Sequence, residues 1–203
     1  MRSENKPDGQ KTFIEEARRA QIIAATIEVL AEAGFAGASL AAIAKHAGIS
    51  KGVISYHFAG KNELMEEVVE QVYTRIAEHV VSRMQSGTTA RELLRTHILA
   101  VAGHMRDNRV QVKALGEIFT NLRDAKGGLR YGMHTDEVLY QGLETIYQWG
   151  QENGEFRPFD RRVMAITHNA AVNAMFAYWV MTPGHDLDAH ANELADLFER
   201  AVT

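Results

Sequence analysis

The stretch from Ser39 to Lys61, SLAAIAKHAGISKGVISYHFAGK, narrows the possible folds more than any other part of the chain. Ser39 is placed to cap a short helix over Leu40–Ala47, Gly48 breaks it, and Ser50 is placed to cap a second over Lys51–His57, because serine side chains accept the free N–H groups of a first turn. Two short helices that cross tightly need a small residue where they touch, a glycine in the turn and apolar residues to hold the angle. Ala44, Gly48, and Ile43, Ile49 and Ile54 supply these. A helix-turn-helix corner and a plain helical hairpin share that spacing. The outward face of the second helix favours the corner: Lys51, Ser55, Tyr56 and His57 set an amine, a hydroxyl, a phenol and an imidazole on it. Such groups donate to phosphates or base edges. Lys61 stands at the start of the next helix, where free N–H groups and the helix dipole favour an anion, and reads as a phosphate clamp.

The flanking sequence extends the helical pattern. Residues 1–12 are polar, with Pro7 and Gly9, and read as a disordered arm. Ile23, Ile27 and Leu30 define one face of a helix over Phe13–Ala33, which Gly34 ends. A long amphipathic helix runs from Lys61 to about Met84, and further helices are expected over Thr89–Arg106, Asn108–Leu122, Thr135–Asn153, Asp160–Met181 and Asp188–Val202. No segment alternates with the period of a strand, and there are only three prolines. The expected fold is all-α with about nine helices: an arm at 1–12, a three-helix head at 13–61 and a helical C-terminal domain at 62–203.

A net charge of −4 looks wrong for a partner of nucleic acid, whose phosphates demand Lys and Arg. The sum hides a division. Residues 1–61 hold eight Lys and Arg against six Asp and Glu, a balance of +2, which leaves −6 for residues 62–203. Arg2, Lys6 and Lys11 add cations on the arm, within reach of a groove or backbone. The absence of cysteine rules out disulfides, thiolate metal sites and cysteine nucleophiles. The polar N-terminus lacks the apolar core of a secretory signal, so a cytoplasmic location is expected. Val163–Met181 carries no charge over 19 residues, close to a membrane span, but Thr167, His168, Asn169, Asn173 and many alanines argue for a buried helix and no membrane partner.

Residues 13–70 closely resemble the DNA-binding domain of the tetracycline-repressor (TetR) family of bacterial transcriptional regulators. The residues carrying the likeness are the Ile23-to-Leu30 helix, Gly34-Phe35, Ser39-Leu40 with Ile43-Ala44, Ala47 to Gly52, Tyr56-His57-Phe58, and Lys61 with Leu64. The resemblance implies that Lys51, Gly52, Ser55, Tyr56 and His57 belong to a recognition helix that reads double-stranded operator DNA. It implies phosphate contacts from Ser39, Tyr56 and Lys61, and a core role for Phe58. Ser55 stands where many members carry tyrosine, a departure that bears on base preference.

In the C-terminal domain, a helix apolar nearly all round needs cover on several sides, more than a domain of this size provides. A partner copy would supply it. Ala170, Ala174 and Ala177 allow close helix approach, and Leu187, Leu194, Leu197, Phe198 and Ala201 offer an apolar face on the last helix. The family resemblance likewise implies a homodimer built by the last two helices. It also implies a small-molecule pocket among the middle helices, for which His97, Met105, Phe119, Tyr140, Tyr147, His168, Asn169, Asn173, Phe176 and Trp179 are candidates. Without a local charge cluster, a neutral or lipophilic ligand is expected. Phe156 and Phe159, in the turn from Gly150 to Asp160, read as core plugs.

Catalysis, cofactors and metal find no support. His97 with His104, and His185, Asp186, Asp188 and His190, match no metal spacing, and no nucleophile-elbow, phosphate-loop or dinucleotide motif occurs. The expected function is a nucleoid-associated, sequence-specific regulator, in all expectation a repressor, that binds a near-palindromic operator as a dimer and is released by a small molecule. Two alternatives remain: an architectural helical DNA-binding protein, and a helical ligand-binding enzyme with an inherited head.

Overall fold

A computed structural model describes residues 8–132 and 135–203. Its named elements are α1 (Asp8–Gly37), α2 (Leu40–His46), α3 (Lys51–His57), α4 (Lys61–Met84), α5 (Ala90–Arg106), α6 (Arg109–Asn121), α7 (Glu137–Glu152), α8 (Arg161–Met181) and α9 (Leu187–Val202). The helix ends follow side chains that satisfy orphan N–H groups. Ser39, Ser50, Asp160 and Asp186 each accept from a first-turn N–H, and Thr89 with Glu92 forms a reciprocal capping box. α1 begins at Asp8, so residues 8–12 of the expected arm are helical; residues 1–7, with Arg2 and Lys6, lie outside the described residues. Gly34 interrupts α1 with φ 69°, a conformation that side-chain-bearing residues rarely adopt.

The head packs Ile22, Ile23, Ile27 and Leu30 of α1 against Ile43, Ala44, Ile54 and Phe58, with Leu64 and Met65 of α4 closing the cluster. α1 over Phe13–Gly37 is long and apolar enough to cross a membrane; its Ile22, Ile23, Ile27 and Leu30 are buried inside this head, whereas Phe13 and Ile14 at its start are exposed. No gap in the core separates 1–61 from the rest. α4 runs unbroken from the head into the C-terminal helices, and one apolar cluster extends from Ile22 to Val202.

α6 is also packed on α1, where the Glu117 carboxylate accepts from the Phe35 backbone N–H at 2.8 Å. α5 lies against α9, held at its rim by Arg95, whose guanidinium meets Asp196 at 2.6 Å and Glu199 at 3.2 Å. Phe156 is buried and Phe159 partly so, both against Tyr147 of α7. The Phe156 ring occupies the space above Gly150, where an added Cβ would sit 2.1 Å from it.

Candidate functional site

α2 and α3 meet through a turn whose hydrogen bonds are complete. The N–H of Ile49 donates to the Ala44 carbonyl at 3.0 Å, that of Ala47 to Ile43 at 2.8 Å, and Gly48 takes φ 67° to allow it. Ile54 points inward, so Lys51, Gly52, Ser55 and Tyr56 lie together on the exposed face of α3. Tyr56 is 75% exposed. His57 is half-buried, edge-on to the Tyr56 ring, and lies at the border of this face. Ser39 is exposed but already accepts from the Ala42 N–H at 3.1 Å, which leaves its hydroxyl proton for a phosphate oxygen.

Arg19 was not singled out by sequence, yet it fixes this face. Its guanidinium donates to the His57 carbonyl at 2.6 Å, pairs with Glu67 at 2.7 Å and lies 4.4 Å above the Phe58 ring. One side chain of α1 thus ties the end of α3 to α4. Its spacing resembles that of any surface arginine, so no local pattern marks it.

Lys61 requires a correction. Its ammonium does not face outward as a clamp: it donates to the Phe35 carbonyl at 2.5 Å and lies 4.1 Å from the Phe35 ring centroid. Burial lowers the pKa of the amine accordingly. Glu63, in the first turn of α4, accepts from the Ala59 N–H and sets a negative charge where an anion was expected. Lys61 and Glu117 therefore hold the two polar groups of one residue, Phe35, from α4 and α6.

The middle helices line two adjoining, partly open cavities of about 580 and 470 Å³ that share Tyr73, Ala77, Phe119, Leu139, Asn169 and Asn173. The larger is walled by Tyr131, Asp136 and Tyr140 as well; the smaller by His97, Met105 and Phe176, with Val101, Val112, Leu115 and Val172. Tyr73, Phe119 and Tyr131 form a continuous aromatic side, with centroids 6.2 and 5.3 Å apart. Sequence periodicity gave no hint of Tyr73, Tyr131 or Asp136 as wall residues. The expectation of a pocket without charge changes here, because Asp136 contributes a carboxylate that accepts from the Asn169 amide at 2.9 Å. That charge raises the Tyr73 phenol to about 12, after burial, the larger cause.

Three ligand candidates are displaced from the walls. Trp179 is buried elsewhere, under the Arg109 guanidinium, which also donates to the Trp179 and Val180 carbonyls. Tyr147 is fully buried, its hydroxyl 2.9 Å from His168 Nδ1. His168 is fully buried too: its Nε2 lies 3.3 Å from His97 Nδ1 and its ring stacks on Phe198 at 4.7 Å. Buried polar groups need partners, and these two find them in each other.

The α8–α9 face divides in the same way. Ala170, Ala174 and Ala177 are exposed, in line with Val163, Tyr178 and Met181, which are 61, 54 and 82% exposed. Leu197 is exposed and Ala201 half-buried. Leu187, Leu194 and Phe198 are not available to a partner, since α9 turns them into the chain's own core against α5 and α8. Among the described residues no group of three or more His, Cys, Asp or Glu is arranged to hold a metal ion.

Comparison with known proteins agrees with this geometry. Residues 22–68 match the family model described as bacterial regulatory proteins, tetR family. Over 91 residues the chain is 38% identical to the HTH-type transcriptional regulator BetI 1 of Chromohalobacter salexigens, covering 45% of this chain and 44% of that one. Over 105 residues it is 31% identical to BetI of Escherichia coli (strain UTI89), covering 52 and 53%. The chain thus spans about half the length of the curated relatives it matches. The fold is shared more widely. FadR of Bacillus subtilis, solved in complex with stearoyl-CoA, superposes with a TM-score of 0.79 at 23% identity over 91% of this chain and 99% of that one. The fatty acid degradation regulator FadR of Bacillus halodurans gives 0.78 at 23% over 89 and 94%.

Proposed function

We propose that this chain, whose residues 22–68 form a tetR-family module, is a sequence-specific DNA-binding transcriptional regulator, a repressor that leaves its operator when a small molecule occupies the cavities. The observation that carries this reading is the outward face of α3. Lys51, Gly52, Ser55 and Tyr56 share it, raised on a completed helix-turn-helix corner and locked from behind by Arg19. A helix docked in a major groove offers base edges a short row of donors while flanking groups meet phosphate. Ser39 and Tyr56 take that flanking role; Lys61 supports the head from within.

The regulator acts as a homodimer. The exposed apolar row of α8 gives a second copy a flat, small-residue surface, with Leu197 of α9 beside it. A two-fold pair sets two α3 helices in successive major grooves, about 34–36 Å apart. Ala170 and Ala177 lie both on this row and on the cavity walls, so the partner would sit next to the cavity mouth. A ligand acts through its different affinity for the DNA-competent and released states. The physical route is α4 and α6, which line the cavities and hold Phe35 through Lys61 and Glu117. The regulator works in the cytoplasm, on nucleoid DNA, with no membrane partner and no catalytic step.

Selection of bound sequences from random duplexes tests the reading. A palindrome whose half-sites lie one helical turn apart, or a multiple of it, is the expected result. Binding without sequence preference would leave an architectural role instead.

A further inference from the structure

The row Tyr147, His168, His97 runs from two fully buried side chains to the half-buried His97 at the smaller cavity, and its hydrogen bonds have a direction. Tyr147 is fully buried, and His168 Nδ1, at 2.9 Å, is the only partner of its hydroxyl among the described residues. Leaving a buried phenol proton undonated is costly, so Tyr147 donates and His168 Nδ1 accepts. Burial keeps both imidazoles neutral, with one proton each, holding His97 down to about 4 and His168 well below its ordinary value. The single proton of His168 therefore lies on Nε2 and is donated across 3.3 Å to His97 Nδ1. The single proton of His97 is then left on Nε2.

That last N–H has no protein acceptor among the described residues. The buried polar atoms without partners are His104 Nε2 and Gln111 Oε1, and His97 Nε2 is not among them, so it keeps accessible surface. His97 is half-buried and lines the smaller cavity, which is where that surface opens. The rest of that wall is mostly apolar, with Val101, Met105, Val112, Leu115 and Phe176, and its polar side chains Tyr73, Thr120, Asn169 and Asn173 carry no formal charge.

We infer that His97 presents a fixed Nε2–H donor to the cavity, set by the Tyr147–His168 relay, and that the cavity selects an uncharged, mostly apolar molecule carrying an acceptor oxygen such as a carbonyl. His168 and Tyr147 are positioning residues: neither touches the cavity, yet they decide which nitrogen of His97 holds the proton. This deepens the reading of the chain as a ligand-released regulator, on which it rests only for what binding does to DNA. The relay also explains why a histidine serves here. A glutamine at the same place would present either its oxygen or its nitrogen, whereas a ring whose other nitrogen is already an acceptor presents only a donor.

Acetophenone and α-methylstyrene test this on the full chain, since they share a shape and differ by an oxygen in place of a methylene. Hydrophobic transfer alone favours the hydrocarbon, so any preference for the ketone reports polar recognition. Binding followed by nitrogen-15 NMR of the histidines is expected to show His97 protonated on Nε2 in the free protein. Acetophenone should shift that signal and bind about tenfold more tightly than α-methylstyrene, the worth of one neutral hydrogen bond. The preference should vanish in His97→Leu. It should fall in Tyr147→Phe, which leaves the cavity walls intact while the tautomer signals of both histidines change. A free His97 protonated on Nδ1, equal affinity for the two probes, or no response of the His97 signal to either would overturn the assignment. Operator affinity is read separately: a ketone preference without loss of DNA binding at saturation would sink the regulator reading and leave the His97 assignment standing.

Discussion

Replacing Lys61 by methionine separates two physical roles for one ammonium. The substitution keeps the aliphatic stem and removes the charge that bonds the Phe35 carbonyl at 2.5 Å and lies 4.1 Å from its ring centroid. A hydrogen bond from a charged donor contributes about 1.5–3 kcal/mol and a cation–π contact about 0.5–1 kcal/mol where partly exposed. Partial solvent screening at this half-buried site favours a total of about 2–3 kcal/mol. For a chain of this size that lowers the melting temperature by roughly 5–10 °C. If the ammonium is spent on Phe35, operator binding measured by fluorescence anisotropy between 50 and 200 mM salt keeps its log–log slope. Loss of one phosphate contact per head would instead lower the slope by about 0.9 each, or about 2 for a dimer. Lys51→Ala is the internal standard, because Lys51 is exposed at the start of α3 and should lower the slope by about that amount. A Lys61→Met protein with wild-type stability and a slope reduced by about 2 would refute the internal-tie reading and restore the clamp.

Three other outcomes are expected. Ala174→Asp places a charge in the middle of the exposed α8 row and should give folded monomers whose operator affinity falls about 100-fold or more; a variant still dimeric by sedimentation would remove α8 from the interface. Gly150→Ala drives a methyl into the Phe156 ring at 2.1 Å, and overpacking of about 3 kcal/mol outweighs roughly 1 kcal/mol of helix propensity, so urea denaturation should show a loss of about 2 kcal/mol. A more stable variant would show that the ring moves aside freely. The third concerns pH. His97 is held at about 4 in the folded chain against 6.5 in the unfolded one, so stability is fully present above pH 6.5 and declines as pH falls toward 4, by about 1.4 kcal/mol per unit. His168 shifts in the same direction and steepens the decline. Unfolding free energy should therefore be flatter with pH in His97→Gln than in the parent, and parallel profiles would contradict burial of a neutral ring.

The helices themselves were legible in the sequence because the signals that start and stop them are local. Ser39 and Ser50 cap, Gly34 and Gly48 break, and apolar residues recur every three to four positions. The same holds for the face of α3, where Ile54 marks the inside and thereby assigns Lys51, Ser55 and Tyr56 to the outside. Periodicity could not tell which neighbour a residue meets. His168 and Tyr147 looked like ligand groups because buried polar atoms need partners, but the partner turned out to be each other, brought together from α7 and α8. Leu187, Leu194 and Phe198 form a good apolar face whether it meets another copy or α5, and the packing of α9 chose α5.

The sequence by itself determined the helices found among the described residues, a corner of small residues and a charge balance of +2 over residues 1–61 against −6 over the rest. Each of these depends on residues a few positions apart, whose mutual distance the helix geometry sets in advance. The tertiary structure alone decided that Lys61 bonds Phe35, that Arg19 locks the end of α3, and that Asp136 and Tyr131 reach the cavities. Those contacts join residues separated by 26, 38 and more positions, and an ammonium or a carboxylate carries no local sign of which distant carbonyl or ring will reach it first.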